Sequence, residues 1–286
     1  MVSRGFITVV LAVVLVSCAS GSSNRATTST STTTRAPVTT TTAAPALSAR
    51  VVKEVVVDPV YRQGLARRDG GWAFSFNDGL FLTDDALHQT KKLVPAIPAE
   101  WKARGFDHIG DIDVADGVLY APLEQPNYKL GHQAMLMYDA TTLAYRAGVE
   151  VPQHEASFVT VDPSGIAYSM DHFGGAALLR YDVANGWRPL APLEMSRSIA
   201  RVQGADVYHG AVWLSTDDAH EGVYRVDLRR GRQGQVQSLG SIGHVDGEGE
   251  GIDATPTANA DLRVLSIDAK AVPVRIVELR VTPAGH

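Results

Sequence analysis

Four short stretches of this chain recur at a fixed interval, and that interval limits the folds open to it. Gln63-Gly64-Leu65-Ala66, Gly110-Asp111-Ile112-Asp113, Gln203-Gly204-Ala205-Asp206 and Glu250-Gly251-Ile252-Asp253 align without gaps. Their second positions fall at 64, 111, 204 and 251. Two intervals are therefore 47 residues, and the third, 93, leaves room for one further unit near Phe158. Each unit continues alike. A turn pair follows (Asp69-Gly70, Asp116-Gly117, Ser164-Gly165 or His209-Gly210), then an alternating strand such as Val118 to Ala121 or Val212 to Ser215. A third strand ends in Asp84, Asp139, Asp182 or Asp227, and a fourth, more variable strand closes the unit, as at Gly148 to Val151. Four antiparallel strands in a repeat of this length describe a propeller blade, and one blade alone cannot bury both faces.

The segment from 49 to 286 holds about five such repeats. The last has only Leu262 to Ile267 and Val274 to Val281 as recognisable later strands, whereas Arg50 to Val57 is a strand without a unit. The expected fold is all-β: a five-bladed β-propeller of four-stranded antiparallel blades, its N-terminal strand closing the last blade. No amphipathic helix is expected.

The residues before it read differently. Met1 to Gly5 carries one positive charge, Phe6 to Val16 is an apolar run too short to span a bilayer, and Leu15-Val16-Ser17-Cys18 follows. That ending resembles the lipobox of bacterial lipoproteins, which implies cleavage of a signal peptide (1–17) and diacylglycerol on Cys18, with further acylation such as palmitate. Cys18 is the only cysteine, so no intramolecular disulfide forms. Residues 18–48 are dominated by Ser, Thr, Ala and Pro and cannot bury apolar surface, so a disordered tether is expected between the anchor and the propeller domain at 49–286. The expected location is the extracytoplasmic side of the membrane. A net charge of −5 gives no basic face for nucleic acid, and a monomer is expected.

Blade geometry sorts the side chains into two ends. The first strand of each unit lines the channel, so the loops into first strands and between second and third strands share one face, the top. The aspartates that end third strands lie beneath and cap their own turns. The top collects Asp107, His108, His154, Glu155, Arg201, His244, Asp246, Glu248 and Glu250, with Glu124, Asp171, His172, Asp217, Asp218 and His220 from the other loops. Gln125 to His132 is longer than a hairpin needs, which marks a binding loop.

Three chemistries are open to such a mouth. Glycines flank both glutamates in Asp246-Gly247-Glu248-Gly249-Glu250-Gly251, and with Asp111 and Glu155 they form a candidate calcium site. His108, His154 and His244 are candidate zinc or copper ligands, although none forms a tight pair. Asp111 and Glu250 are candidate catalytic carboxylates, since mutual repulsion across a narrow channel raises one pKa. No Gly-x-Ser-x-Gly elbow is present, and a cysteine nucleophile is excluded because Cys18 lies outside the domain.

Gln63-Gly64-Leu65, Gly110-Asp111, Gln203-Gly204 and Glu250-Gly251 together resemble the secreted bacterial propellers of the YncE-like group. The same motifs resemble, more weakly, the plant-type glutaminyl cyclases, five-bladed propellers with Gln-Gly-Leu in the first blade and Glu-Gly in the second. In those cyclases a channel glutamate assists proton transfer while aromatics cradle the substrate. By matching position the resemblance implies Gln63, Asp111, Gln203 and Glu250 as channel residues; the second unit has Asp111 where the cyclases have Glu. Two functions are expected from these readings. One is a membrane-anchored propeller that binds a small ligand or protein partner at its polar top face, through Gln63, His108, Asp111, His154, Glu155, Arg201, Gln203, Glu248 and Glu250. The other is an extracytoplasmic enzyme, either a metal-assisted hydrolase or lactonase, or a glutaminyl-cyclase-like cyclotransferase.

Overall fold

A computed structural model describes residues 46–218, 221–229, 233–242, 247–268 and 273–284. Cys18, the signal peptide, nearly all of the expected tether, and His220, His244 and Asp246 lie outside the described residues.

The first unit is a four-stranded meander, Gly64–Arg68, Gly71–Phe76, Gly79–Thr83 and Gln89–Leu93, paired in that order. In the second, Val118–Glu124, Gln133–Asp139 and Tyr145–Val151 form the outer strands. The inner strand is broken into His108–Ile109 and Asp113–Ala115, both paired with Val118–Glu124. The break falls at Asp111, which bridges instead to Phe158 of the next unit. The third unit (Thr160–Val161, Ile166–Ser169, Gly175–Asp182, Arg188–Ile199) and the fourth (Val202–Tyr208, Ala211–Thr216, Gly222–Asp227, Gln233–Ser241) are again meanders. Their long outer strands meet in parallel at Glu194↔Gln233 and Met195↔Gly234, which joins them into one eight-stranded sheet. Over those two positions each edge covers the other and satisfies its backbone groups.

The last sheet carries the expected closure. Gly247–Asp253, Leu262–Asp268 and Val274–Pro283 are completed by Leu47–Val57, which pairs antiparallel with Val274–Pro283 from Leu47↔Pro283 to Val57↔Val274. That strand starts inside the stretch read as tether. The only α-helix among the described residues is the four-residue Ala99–Lys102, whose Trp101 is buried.

Local chemistry explains the hairpins. Asp116-Gly117 and His209-Gly210 both have positive φ at both residues (49° and 71°; 49° and 73°), the two-residue turn whose twist matches that of the flanking strands. At the far ends of the third strands the aspartates cap turns as expected. Asp139 Oδ1 accepts from Thr141 N (3.0 Å) and Thr142 N (2.7 Å), and Asp227 Oδ1 accepts from Arg229 N (2.9 Å). The Arg146 guanidinium beside Asp139, together with these amides, holds its carboxyl below the ordinary carboxylate range.

Apolar side chains fill the spaces between successive sheets. Leu80 and Leu82 of the first unit pack with Leu119, Leu136 and Tyr138 of the second, and Tyr120 and Met135 pack with Val161 and Tyr181. Leu178 and Met195 meet Val212 and Leu214, and Val223 and Leu239 meet Val264 and Val277. The cluster that seals the end against the beginning joins Leu265, Ile267 and Ile276 to Leu65, Trp72 and Phe74, with Tyr61 stacked on Phe74 at 4.4 Å. Each such aliphatic or aromatic side chain contributes about 1.5–3 kcal/mol on burial. The fold is a β-propeller, and its circular packing brings the inner strands together.

Candidate functional site

The repeat places Gln63, Gly110, Ser157, Gln203 and Glu250 in equivalent positions at the top of the inner strands. Four of them, all but Gly110, open into one cavity of about 450 Å³. Its walls add Asp107, His108, Glu124, Glu155, His172 and Glu248, and its rim carries Pro126, Tyr128 and Phe173. Of the nine residues expected to bind a ligand at the top face, the cavity unites six, Gln63, His108, Glu155, Gln203, Glu248 and Glu250, and it takes in Asp107, Glu124 and His172 from the same loops.

Three expected residues do not line it. Asp111 lies among the inner strands, only 1% exposed, with its oxygens turned onto backbone. Leu65 N and Ile112 N donate to Oδ1 (both 3.0 Å) and Ala205 N donates to Oδ2 (2.9 Å). The carboxylate ties the second unit to the first and fourth, an arrangement that requires neighbours without side chains. A Cβ on Gly251 would lie 2.5 Å from Asp111 Oδ1 and 2.6 Å from Leu65 N. Burial pushes the Asp111 carboxyl well above its ordinary range, and the Leu65, Ala205 and Ile252 amides pull the other way. With both oxygens occupied, Asp111 is a structural clip rather than a ligand or catalytic group.

His154 is exposed and bonds through Nδ1 to the Tyr128 carbonyl (2.9 Å), outside the cavity. Arg201, in a left-handed conformation (φ 61°), is drawn outward onto Asp217, with Nε 2.6 Å from Oδ1 and Nη2 donating to Oδ2 at 2.9 Å. Asp217 also accepts from Gln203 Nε2 (3.1 Å), so it acts as the anchor for one wall.

The remaining groups differ in how they are satisfied. Glu155 Oε2 accepts from Phe173 N (2.9 Å), which fixes the rim aromatic. Glu124 Oε1 accepts from Ala156 N (2.6 Å). Burial, with added repulsion from Glu155, Asp107 and Asp171, still raises Glu124 to about 7. Burial lowers the pKa of His108, which Asp107 partly offsets, so its neutral form is favoured. Tyr128 is pushed up to about 12 by burial and by the charges of Glu124, Glu155 and Asp107, so it remains a neutral phenol.

Glu250 stands apart. It is 3% exposed and faces the cavity, yet its carboxyl makes no hydrogen bond or ion pair with any described residue. Only its backbone carbonyl is engaged, by Ser215 Oγ. Burial raises its pKa well above the ordinary value, Glu248 and Asp217 raise it further, and Arg62 offsets a part. Its oxygens therefore open only onto the cavity, and what fills the cavity must complete them.

Among the described residues no group of three or more His, Cys, Asp or Glu is disposed to hold a metal ion. The set Asp111, Glu155, Glu248 and Glu250 therefore does not form the calcium site the glycine-flanked glutamates suggested. Asp111 is committed to backbone amides and Glu155 to Phe173. His108 and His154 likewise do not converge. Four contributors went unread in the sequence: Pro126, Tyr128, Ser157 and Phe173. Ser157 could have been found by extending the repeat one position before Phe158, and Tyr128 lies in the long loop already marked for binding. Phe173, 66% exposed, follows Asp171-His172 without any periodic signal.

The chain matches no family model and no curated protein. Among solved structures it is similar to an exo-β-1,3-galactanase from Phanerochaete chrysosporium, at 11% identity and a TM-score of 0.51, covering 79% of this chain and 64% of that one. It is similar too to a luciferin-regenerating enzyme (15%, TM-score 0.49, covering 82% and 80%) and to regucalcin, a calcium-binding protein of Agrobacterium tumefaciens (14%, TM-score 0.45, covering 78% and 78%). The likeness to the galactanase agrees with the strand topology on the class of protein, a β-propeller, and at such low identity it carries the fold alone.

Proposed function

We propose that this chain is a lipid-anchored, extracytoplasmic, five-bladed β-propeller that binds a small ligand in the mouth of its channel. The observation that carries the binding reading is Glu250, a buried carboxyl facing a cavity of about 450 Å³ with no partner among the described residues. A cavity of that size, with a few converging polar groups and shifted pKa values, is the ordinary form of a small-ligand site. The blade count rests on the 47-residue repeat and on apolar clusters shared between consecutive units around to Leu265 and Phe74. Anchoring rests on Leu15 to Cys18 and on the tether composition. Loss of labelled palmitate and of membrane association in Cys18→Ala would support it; retention of both would remove it.

The test of binding is a screen of small molecules for stabilisation of the full-length chain, run in parallel on Glu250→Gln. A ligand at 100 times its Kd stabilises by about 2.7 kcal/mol. The expected hits lose that stabilisation in the variant. Hits that are all indifferent to Glu250→Gln would place the binding elsewhere.

One observation favours the enzymatic alternative. Glu124, at about 7, and Glu250, also raised, face the same cavity, as a general acid and general base would. That pair suits a hydrolase, a lactonase or a glutaminyl-cyclase-like cyclotransferase. Turnover of any hit that Glu250→Gln abolishes would establish this reading over simple binding.

A further inference from the structure

We infer that the ligand of this cavity is a small organic cation, a primary amine or guanidine with an apolar body, its charged head at Glu250 and its body against Tyr128 and Phe173. The inference rests on the proposal that the mouth is a ligand site, and goes on to its chemistry.

Apart from two histidines and Tyr128, every ionisable side chain on the cavity wall is a carboxyl: Asp107, Glu124, Glu155, Glu248 and Glu250, with no lysine or arginine among the lining residues. The only basic groups there are His108, whose neutral form burial favours, and His172. An anion entering the mouth meets a wall of carboxyls, and a neutral ligand offers the ionised form of Glu250 no compensating charge. Carboxylates accept and do not donate when ionised, so the complement they lack is a group rich in N–H donors and carrying positive charge.

Position supplies the rest. Gln63, Ser157, Gln203 and Glu250 descend from the repeat and form the inner end, whereas Tyr128 and Phe173 stand on loops at the outer end. Both aromatics are exposed, at 37% and 66%, and Phe173 is held from beneath by the hydrogen bond its backbone N–H donates to Glu155 Oε2. Its ring lies edge-on to His172 with centroids 4.7 Å apart. A polar, acidic floor beneath an apolar rim fits a molecule with a cationic head and an apolar tail. Aromatic faces also attract cations that pass over them.

The charges predict a proton linkage as well. The groups that face Glu250 are Glu248, Asp217 and Arg62, and those that face Glu124 are Glu155, Asp107 and Asp171. A bound cation favours the ionised forms of both carboxyls, so binding expels protons and tightens as pH rises through about 7.

The experiment uses three probes of similar shape on the full-length chain: phenethylammonium, neutral 2-phenylethanol and anionic 3-phenylpropionate. Calorimetry in buffers of different ionisation enthalpy reads affinity and proton release together. The amine is expected to bind at least about ten-fold tighter than the alcohol, as one charge-assisted hydrogen bond implies, with net proton release; the anion should not bind. Glu250→Gln should remove the preference for the amine. Phe173→Ala, at an exposed position that leaves folding intact, should weaken amine and alcohol alike. If the alcohol or the anion binds as well as the amine and Glu250→Gln abolishes it, the site stands and the cationic class falls. An amine whose affinity ignores both substitutions overturns the class and the site together. Absence of binding by all three probes overturns the cationic class.

Discussion

Removing the Asp111 side chain separates structure from function in the channel. Asp111→Ala leaves Leu65 N, Ile112 N and Ala205 N, all among closely packed inner strands, without their acceptors. An unsatisfied buried donor costs about 1–3 kcal/mol, so three give a gross loss of roughly 3–9 kcal/mol. Part of this is offset, because a buried carboxyl pushed above its ordinary pKa already pays for its desolvation. A net destabilisation of about 3–4 kcal/mol is expected. Asp111→Asn keeps an oxygen for Leu65 and Ile112 but turns an NH2 towards Ala205 N–H, and should lose about 1–3 kcal/mol. The assay is urea unfolding followed by tryptophan fluorescence, with the slope checked for constancy so that midpoints report stability. An Asp111→Ala protein within about 1 kcal/mol of the original, or an Asn variant worse than Ala, would refute the clip. Equal stability with lost ligand binding would return Asp111 to the functional site.

Two further outcomes follow from the inner strands. Gly251→Ala should cost about 3 kcal/mol or prevent folding, because its Cβ would collide with Asp111 Oδ1 and Leu65 N; native-like melting of this variant would contradict the packing. At the lower end of the channel, Asp113, Asp206 and Asp253 share a second mouth. Burial raises Asp113 to about 6 and raises the other two; neighbouring aspartates add to it at Asp113 and Asp206, whereas Arg263 offsets part of it at Asp253. A folded pKa above the unfolded value near 3.9 means that the stabilising contribution is complete below that value and is lost as pH rises through about 6. Asp206→Asn keeps an acceptor for Ala254 N (2.6 Å) and removes one charge. It should therefore melt higher than the original protein at pH 8, by about 1 kcal/mol or less at this solvated mouth, with the gap closing towards pH 4. A gap that widens on acidification would reverse the assignment.

What could be read before any coordinates followed the repeat. Gln63, Gln203 and Glu250 are equivalent in the 47-residue register, so placing them at one opening needed only a ring of blades. The closing strand was legible because Arg50 to Val57 alternates and had no unit of its own. Asp111 carried a clue that composition hides: its equivalents in three units are Gly64, Gly204 and Gly251, and in the remaining one Phe158, so its side chain stands where three units have none. A side chain in that company fills the axis instead of lining an opening. His154 and Arg201 occupy top-face loops, but rotamers and partners such as Asp217 decide which way they point, and no spacing encodes that. Tyr128 and Phe173 sit on irregular loops, where side chains reach the site through tertiary placement alone.

The protonation of Glu250 tests the central claim, that circular packing leaves a buried, unpartnered carboxyl at a ligand mouth. Carbon-13 NMR of the glutamate side-chain carboxyls, with the Glu250 resonance assigned by its disappearance in Glu250→Gln, follows it directly through pH. The account predicts titration well above the ordinary glutamate range and a downward displacement when phenethylammonium is added. Titration near 4.3, unmoved by the amine, would show a solvated side chain and contradict the site.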